Sequence, residues 1–131
     1  MAKKEIVHVP GISDGLIAAK VPISGVVRAN GFLFLSGLPP MDLKTGKMIK
    51  GDIVKQTKGS LNAVKHALKS AGSSLDKVVS VRIYISNSAY FGTVNEIYKQ
   101  YFKSDFPART FVTVGSWPME FDIEVECIAL A

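Results

Sequence analysis

The spacing of apolar residues changes twice between Asp52 and Phe102, and that alternation restricts the chain to helices layered on a sheet. From Asp52 to Ala71 the apolar or small positions Val54, Thr57, Leu61, Val64, Leu68 and Ala71 recur at three and four residues, which predicts an amphipathic helix closed by Gly72. From Leu75 to Ser86 the period drops to two: Val79, Val81, Ile83 and Ile85 alternate with polar residues, as in a strand with one buried face. The helical period returns over Ser88–Phe102, where Phe91, Val94, Ile97, Tyr98, Tyr101 and Phe102 form one stripe and Ser88 is the expected N-cap.

Strand signals flank this centre. Asn30-Gly31 joins two β-prone runs between Gly25 and Ser36, and both residues tolerate positive φ, so a tight hairpin is expected. Pro39-Pro40 ends the second run, and Pro107 stops the second helix. Thr110–Val114 and Asp122–Ala129 read as two last strands. The order strand, hairpin, helix, strand, helix, strand, strand describes an α+β domain, and a chain of 131 residues suffices for one core, so a single domain over 1–131 is expected. Two helices cover only one face of such a sheet, which predicts oligomerisation through the other.

Composition excludes several functions. No apolar run approaches the roughly 18 to 20 residues needed to cross a bilayer. The N-terminal segment through Pro10 lacks the apolar core of an export signal, so the cytosol is the expected compartment. The net charge of +5 comes from lysines scattered along the chain, which argues against a nucleic-acid partner. One cysteine and two histidines are too few for a zinc-type site, and neither Gly-x-Gly-x-x-Gly nor a Walker-type loop is present, so no metal and no cofactor are expected. Cys127 falls on the apolar side of its strand and reads as core.

The residues left to carry chemistry lie toward the C-terminus. Arg109, where a loop enters a strand after Pro107, offers a fixed cation able to fork onto a carboxylate. Fifteen residues on, Asp122, Glu124 and Glu126 share one face of the last strand by the period of two. If the two strands pair, Arg109 projects beside Glu124, either as a plain inter-strand bridge or as the charged pair of a site for an anionic metabolite. Ser36-Gly37 adds a hydroxyl and an unobstructed backbone where a ligand can approach closely.

Phe32-Leu33-Phe34-Leu35-Ser36-Gly37, Phe91, Val94-Asn95, Tyr98, Tyr101-Phe102, Pro107-Ala108-Arg109, Pro118 and the Ile-Glu-Val-Glu run around Glu124 resemble the YjgF/Rid family of reactive intermediate deaminases, from about Pro22 onward. The resemblance implies a chorismate-mutase-like mixed sheet with two helices on one face, assembled as a homotrimer with sites between subunits. It implies cofactor-free hydrolysis of imines and enamines such as 2-aminoacrylate to 2-keto acids and ammonia. By the matching motif, Arg109 would clamp the substrate carboxylate and Glu124 would orient or activate water, with Ser36, Gly37, Phe91 and Asn95 lining the cleft.

Three positions depart from the family pattern. Ile23 stands where deaminases of the family have tyrosine, Phe111 where they have cysteine, and Leu38 where Ser-Gly-Gln is usual. Each makes the expected pocket more apolar or reshapes it, pointing to an imine bulkier than 2-iminopropionate. A trimer that binds or senses small carboxylates without turnover is the alternative implied by the same resemblance. The family's links to translation inhibition, RNA cleavage and chaperone-like holding find no basic stripe with exposed aromatics in this sequence.

Overall fold

A computed structural model describes residues 3–131. Six strands form one mixed sheet in the order β1-β2-β3-β6-β4-β5: β1 is Glu5–Val7, β2 Val26–Ala29, β3 Phe32–Leu38, β4 Val78–Ile85, β5 Ala108–Thr113 and β6 Ile123–Leu130. Three helices accompany them: α1 at Ile12–Ala18, α2 at Ile53–Ser70 and α3 at Phe91–Tyr101. The expected hairpin joins β2 to β3, with Ala29 opposite Phe32 and both Asn30 (φ 51°) and Gly31 (φ 80°) in the left-handed region.

The first long helix forms where its period placed it. Asp52 caps it by accepting a hydrogen bond from the Lys55 N–H at 2.9 Å. Gly72 (φ 79°) closes it, and the Ser73 N–H donates to the Leu68 carbonyl at 2.9 Å. The second long helix is capped differently from expectation. Asn87, not Ser88, supplies the cap oxygen, accepting from the Ala89 N–H at 2.9 Å at the start of a short 3₁₀ turn that leads into α3. The Asn87 oxygen takes up one donor of that turn, and α3 itself begins after Tyr90 without a side-chain cap.

Two expectations need correction. Among the described residues the α-helices number three rather than two: α1 is too short to show a clear stripe, and it forms because Asp14 accepts from the Gly11 N–H at 3.1 Å while Ile12 is buried in the core. Secondly, β5 does not pair with β6. The last strand inserts between β3 and β4, antiparallel to both, while β5 runs parallel to β4 at the sheet edge. The physical reason lies in β6 itself. Ile123, Val125, Cys127 and Ala129 are all buried, so it occupies the sheet centre, whereas β5 has no fully buried residue and takes the edge.

The core lies between the sheet and α2 with α3. Leu33 and Leu35 of β3, Val81, Ile83 and Ile85 of β4 and the buried row of β6 meet Leu61, Val64, Leu68, Val94 and Ile97 of the helices. Among the described residues no helix covers the opposite face, and Phe32, Phe34, Val79, Val112 and Leu130 stand exposed. A sheet face this apolar is the surface on which oligomerisation was expected.

Candidate functional site

The candidate residues fall into two groups on opposite sides of the sheet. Arg109 pairs in register with Val81, whose side chain points into the core, so Arg109 lies on the helix-covered face at the sheet edge. Its guanidinium carbon sits 4.8 Å from the ring centre of Tyr98, 5.6 Å from Phe111 and 5.9 Å from Phe91. Cation–π contact engages the flat faces of a guanidinium and leaves its in-plane N–H donors for an anion. None of the ion pairs among the described residues involves Arg109.

Phe91 and Asn95 reach this cleft from α3, one turn apart, and Phe111 meets Phe91 edge to face at 4.9 Å. Tyr98, on the same helix, stacks on Phe102 at 4.6 Å and forms the floor beneath Arg109. Burial pushes the Tyr98 hydroxyl up to about 12, against the opposing pull of Arg109. It therefore stays a neutral donor at physiological pH. Both that hydroxyl and Asn95 Oδ1 are buried and lack a hydrogen-bond partner among the described residues, a state that ordinarily costs free energy unless a ligand or water completes it.

The second group lies on the open face. Glu124 pairs with Tyr84 of β4, opposite in facing to the buried positions of both strands. A β-carbon on Gly37 would collide with the Glu124 carboxylate, so glycine there is what allows the carboxylate to lie across β3. Ser36 donates from its hydroxyl to the Ser24 carbonyl at 2.7 Å, tying β3 to the segment that begins at the half-exposed Ile23. Desolvation by burial, helped by the nearby charge of Glu126, raises the Glu124 carboxyl above its ordinary value of 4.5. Glu126 itself accepts a hydrogen bond from the Tyr84 hydroxyl and lies 3.9 Å from an Arg82 guanidinium nitrogen.

Arg109 and Glu124 are thus not brought together within the chain, contrary to the pairing expected from sequence: β4 intervenes and they point to opposite faces. The row of three carboxylates is also reduced to two. Asp122 precedes β6 and is drawn to the buried Gln56, whose side-chain amide donates to it at 3.0 Å, while Ser86 donates to its other oxygen at 2.7 Å. Leu38 does not line the Arg109 cleft. A bulge between Leu35 and Leu38 shifts the alternation so that both point inward, and Leu38 is buried in the core. Cys127 is likewise core, its thiol pushed up to about 12 by burial.

Sequence reasoning missed three contributors. Phe106 lines the Arg109 cleft, although the proline after it was the visible signal. Tyr98 was legible as core but not as the surface on which Arg109 rests. The Arg82–Tyr84–Glu126 network left no motif, because its members share a face only through strand pairing.

An edge-strand arginine resting on aromatic rings, with a carboxylate against a glycine bulge on the bare sheet face, marks out an α+β domain with a six-stranded mixed sheet. Residues 15–131 match the family model described as Endoribonuclease L-PSP, and the chain belongs to this family, also called YjgF/Rid. It is 42% identical over 108 residues to a RutC family protein of Pyrococcus horikoshii, covering 82% of this chain and 86% of that one. It is 37% identical over 109 residues to the human protein named 2-iminobutanoate/2-iminopropanoate deaminase, covering 83% and 80% of the two chains. The crystal structure of YyfA, a conserved Rid family protein of Yersinia pestis, superposes with a TM-score of 0.90 at 35% identity over 98% of this chain and all of that one.

Proposed function

We propose that this protein hydrolyses imines and enamines of 2-keto acids, 2-aminoacrylate and its relatives, to the keto acid and ammonia, without a cofactor, in the cytosol. The name of the human relative supports the reaction. The single observation that carries the reading is the aromatic-backed Arg109, which offers a fixed cation to a substrate carboxylate in a cleft of about 400 Å3.

Glu124 is the second participant. Water attacks the imine carbon, a C–O bond forms, and the C=N π pair moves to nitrogen. Glu124 takes a proton from that water and returns it to nitrogen, giving a carbinolamine; it then carries the hydroxyl proton to the same nitrogen, and as the C=O bond forms the C–N bond breaks and ammonia leaves. A carboxylate with a raised proton affinity suits this exchange better than an ordinary one. The imine is already electrophilic, so positioning and one polarised water suffice.

A small ligand cannot touch both faces of a sheet at once. Arg109 of one copy and Glu124 of another therefore share each site, with the bare apolar face packed between copies in a closed homotrimer. Ser36, Gly37 and Ile23 accompany Glu124; Phe91, Asn95 and Phe111 accompany Arg109.

Mixing two inactive variants tests the shared site. Arg109→Ala and Glu124→Gln, each nearly inactive alone, are exchanged into mixed assemblies by mild dissociation. Random mixing should leave about one quarter of sites with both native side chains and restore activity in that proportion. No recovery in assemblies shown to be mixed would place both residues' action within one chain. Absence of imine hydrolysis by the native protein would leave it a carboxylate-binding member of the family.

A further inference from the structure

The Arg109 cleft holds two large aromatic side chains that the reaction as written does not use. Phe91 is 47% exposed and Phe106 is 61% exposed, and both line the cleft together with Asn95, Tyr98, Pro107 and Arg109. Phe111 props Phe91 from behind rather than lining the cleft itself. Exposed phenylalanines cost solvation, and two of them lining one cleft with a cation call for an apolar group beside the anion that the cation holds.

Building on the imine reading, we propose that Phe91 and Phe106 form a side-chain subsite that selects 2-imino acids bearing branched or aromatic apolar substituents, such as those derived from leucine and phenylalanine. The substituent of a 2-imino acid leaves from the carbon next to its carboxylate. With the carboxylate on Arg109, it enters the cleft between the two rings. The remaining polar lining discourages charged substituents, because Lys99 and Glu96 lie 3.2 Å apart and neutralise each other. A three-carbon imine would leave both rings wet. Each buried methylene favours binding about fourfold, so growth from a methyl to an isobutyl group gives roughly tenfold or more even when burial is partial.

The test compares imines generated in situ by an amino-acid oxidase from alanine, leucine, phenylalanine and glutamate, followed by their decay with the native protein. The leucine- and phenylalanine-derived imines should show kcat/KM at least tenfold above the alanine-derived one, with the glutamate-derived imine lowest. Phe106→Ala should collapse the leucine-to-alanine ratio toward unity, and Phe106→Leu should keep most of it. A flat panel, or a ratio untouched by Phe106→Ala, overturns the subsite. So does a Phe106→Ala variant that loses its assembly and all substrates alike, since the ring would then be an interface wall. If no imine decays, the hydrolase reading has failed on its own. Calorimetric titration with 4-methyl-2-oxopentanoate and with pyruvate then decides the subsite: tenfold tighter binding of the former upholds it, and equal binding overturns it.

Discussion

Arg109 and Glu124 lie on opposite faces of one sheet, with β4 between their strands. Each is surrounded by its own set of neighbours, aromatic for the arginine and strand backbone for the carboxylate. Substitutions at the two positions should therefore fail in different ways.

Arg109→Ala should remove carboxylate binding while the fold persists, because the side chain sits at an edge and makes none of the ion pairs among the described residues. Losing a charge-assisted contact costs roughly 1.5 to 3 kcal/mol, about ten- to a hundred-fold in affinity for a keto acid. Lysine should recover only part of it, since a point charge neither forks onto a carboxylate nor rests flat on Tyr98. Calorimetry with the three proteins checks this, and undiminished binding by the alanine variant would assign the anion elsewhere.

Glu124→Gln should lower hydrolysis by roughly 10²-fold with little loss of keto acid affinity. It should also raise thermal stability at pH 7. Burial and Glu126 raise the folded-state carboxyl above 4.5, so the folded protein binds this proton more readily than the unfolded chain. Stability from this group is present at acid pH and falls as pH rises through the raised value. The melting temperature of the variant should exceed the native one at pH 7 and the difference should vanish well below pH 4.5. A variant that melts lower at neutral pH would mean the carboxylate is stabilised by a partner.

Gly37→Ala separates the site from the fold. The added methyl would meet the far end of the Glu124 side chain rather than backbone, so the carboxylate can swing away and folding should survive. Circular dichroism should be unchanged while turnover falls toward that of Glu124→Gln. Full activity would show that the carboxylate's position across β3 is not used.

Gln56→Ala should destabilise the chain by roughly 1 to 3 kcal/mol in urea denaturation. The buried Gln56 accepts from the Asp122 N–H at 2.7 Å and donates to the Asp122 carboxylate and the Gly51 carbonyl, both at 3.0 Å. Its loss orphans groups at the very start of β6. A change under half a kcal/mol would indicate that water replaces the amide.

Much of the secondary structure was readable because its signals are local. The period of α2, the Asn30-Gly31 turn and the alternation in β4 depend on neighbours within a few residues. The short α1 was not readable, since Ile12 gains its value only from the core it enters. Leu38 misled for a related reason: the bulge that turns it inward is a property of the β3–β6 pairing.

The sequence by itself determined the two long helices, the hairpin and the strands around them, and that one sheet face would lack a helix, and it singled out Arg109 and Glu124 as the candidates to test. Only the tertiary structure decided that β6 runs between β3 and β4, because strand order follows from which strand has the most apolar surface to bury, a comparison made across the whole chain. That order set Arg109 on one face and Glu124 on the other. It also gathered Phe91, Tyr98 and Phe111 around the guanidinium, with Phe106 lining the same cleft, residues of a helix, a loop and a strand that no spacing along the chain connects.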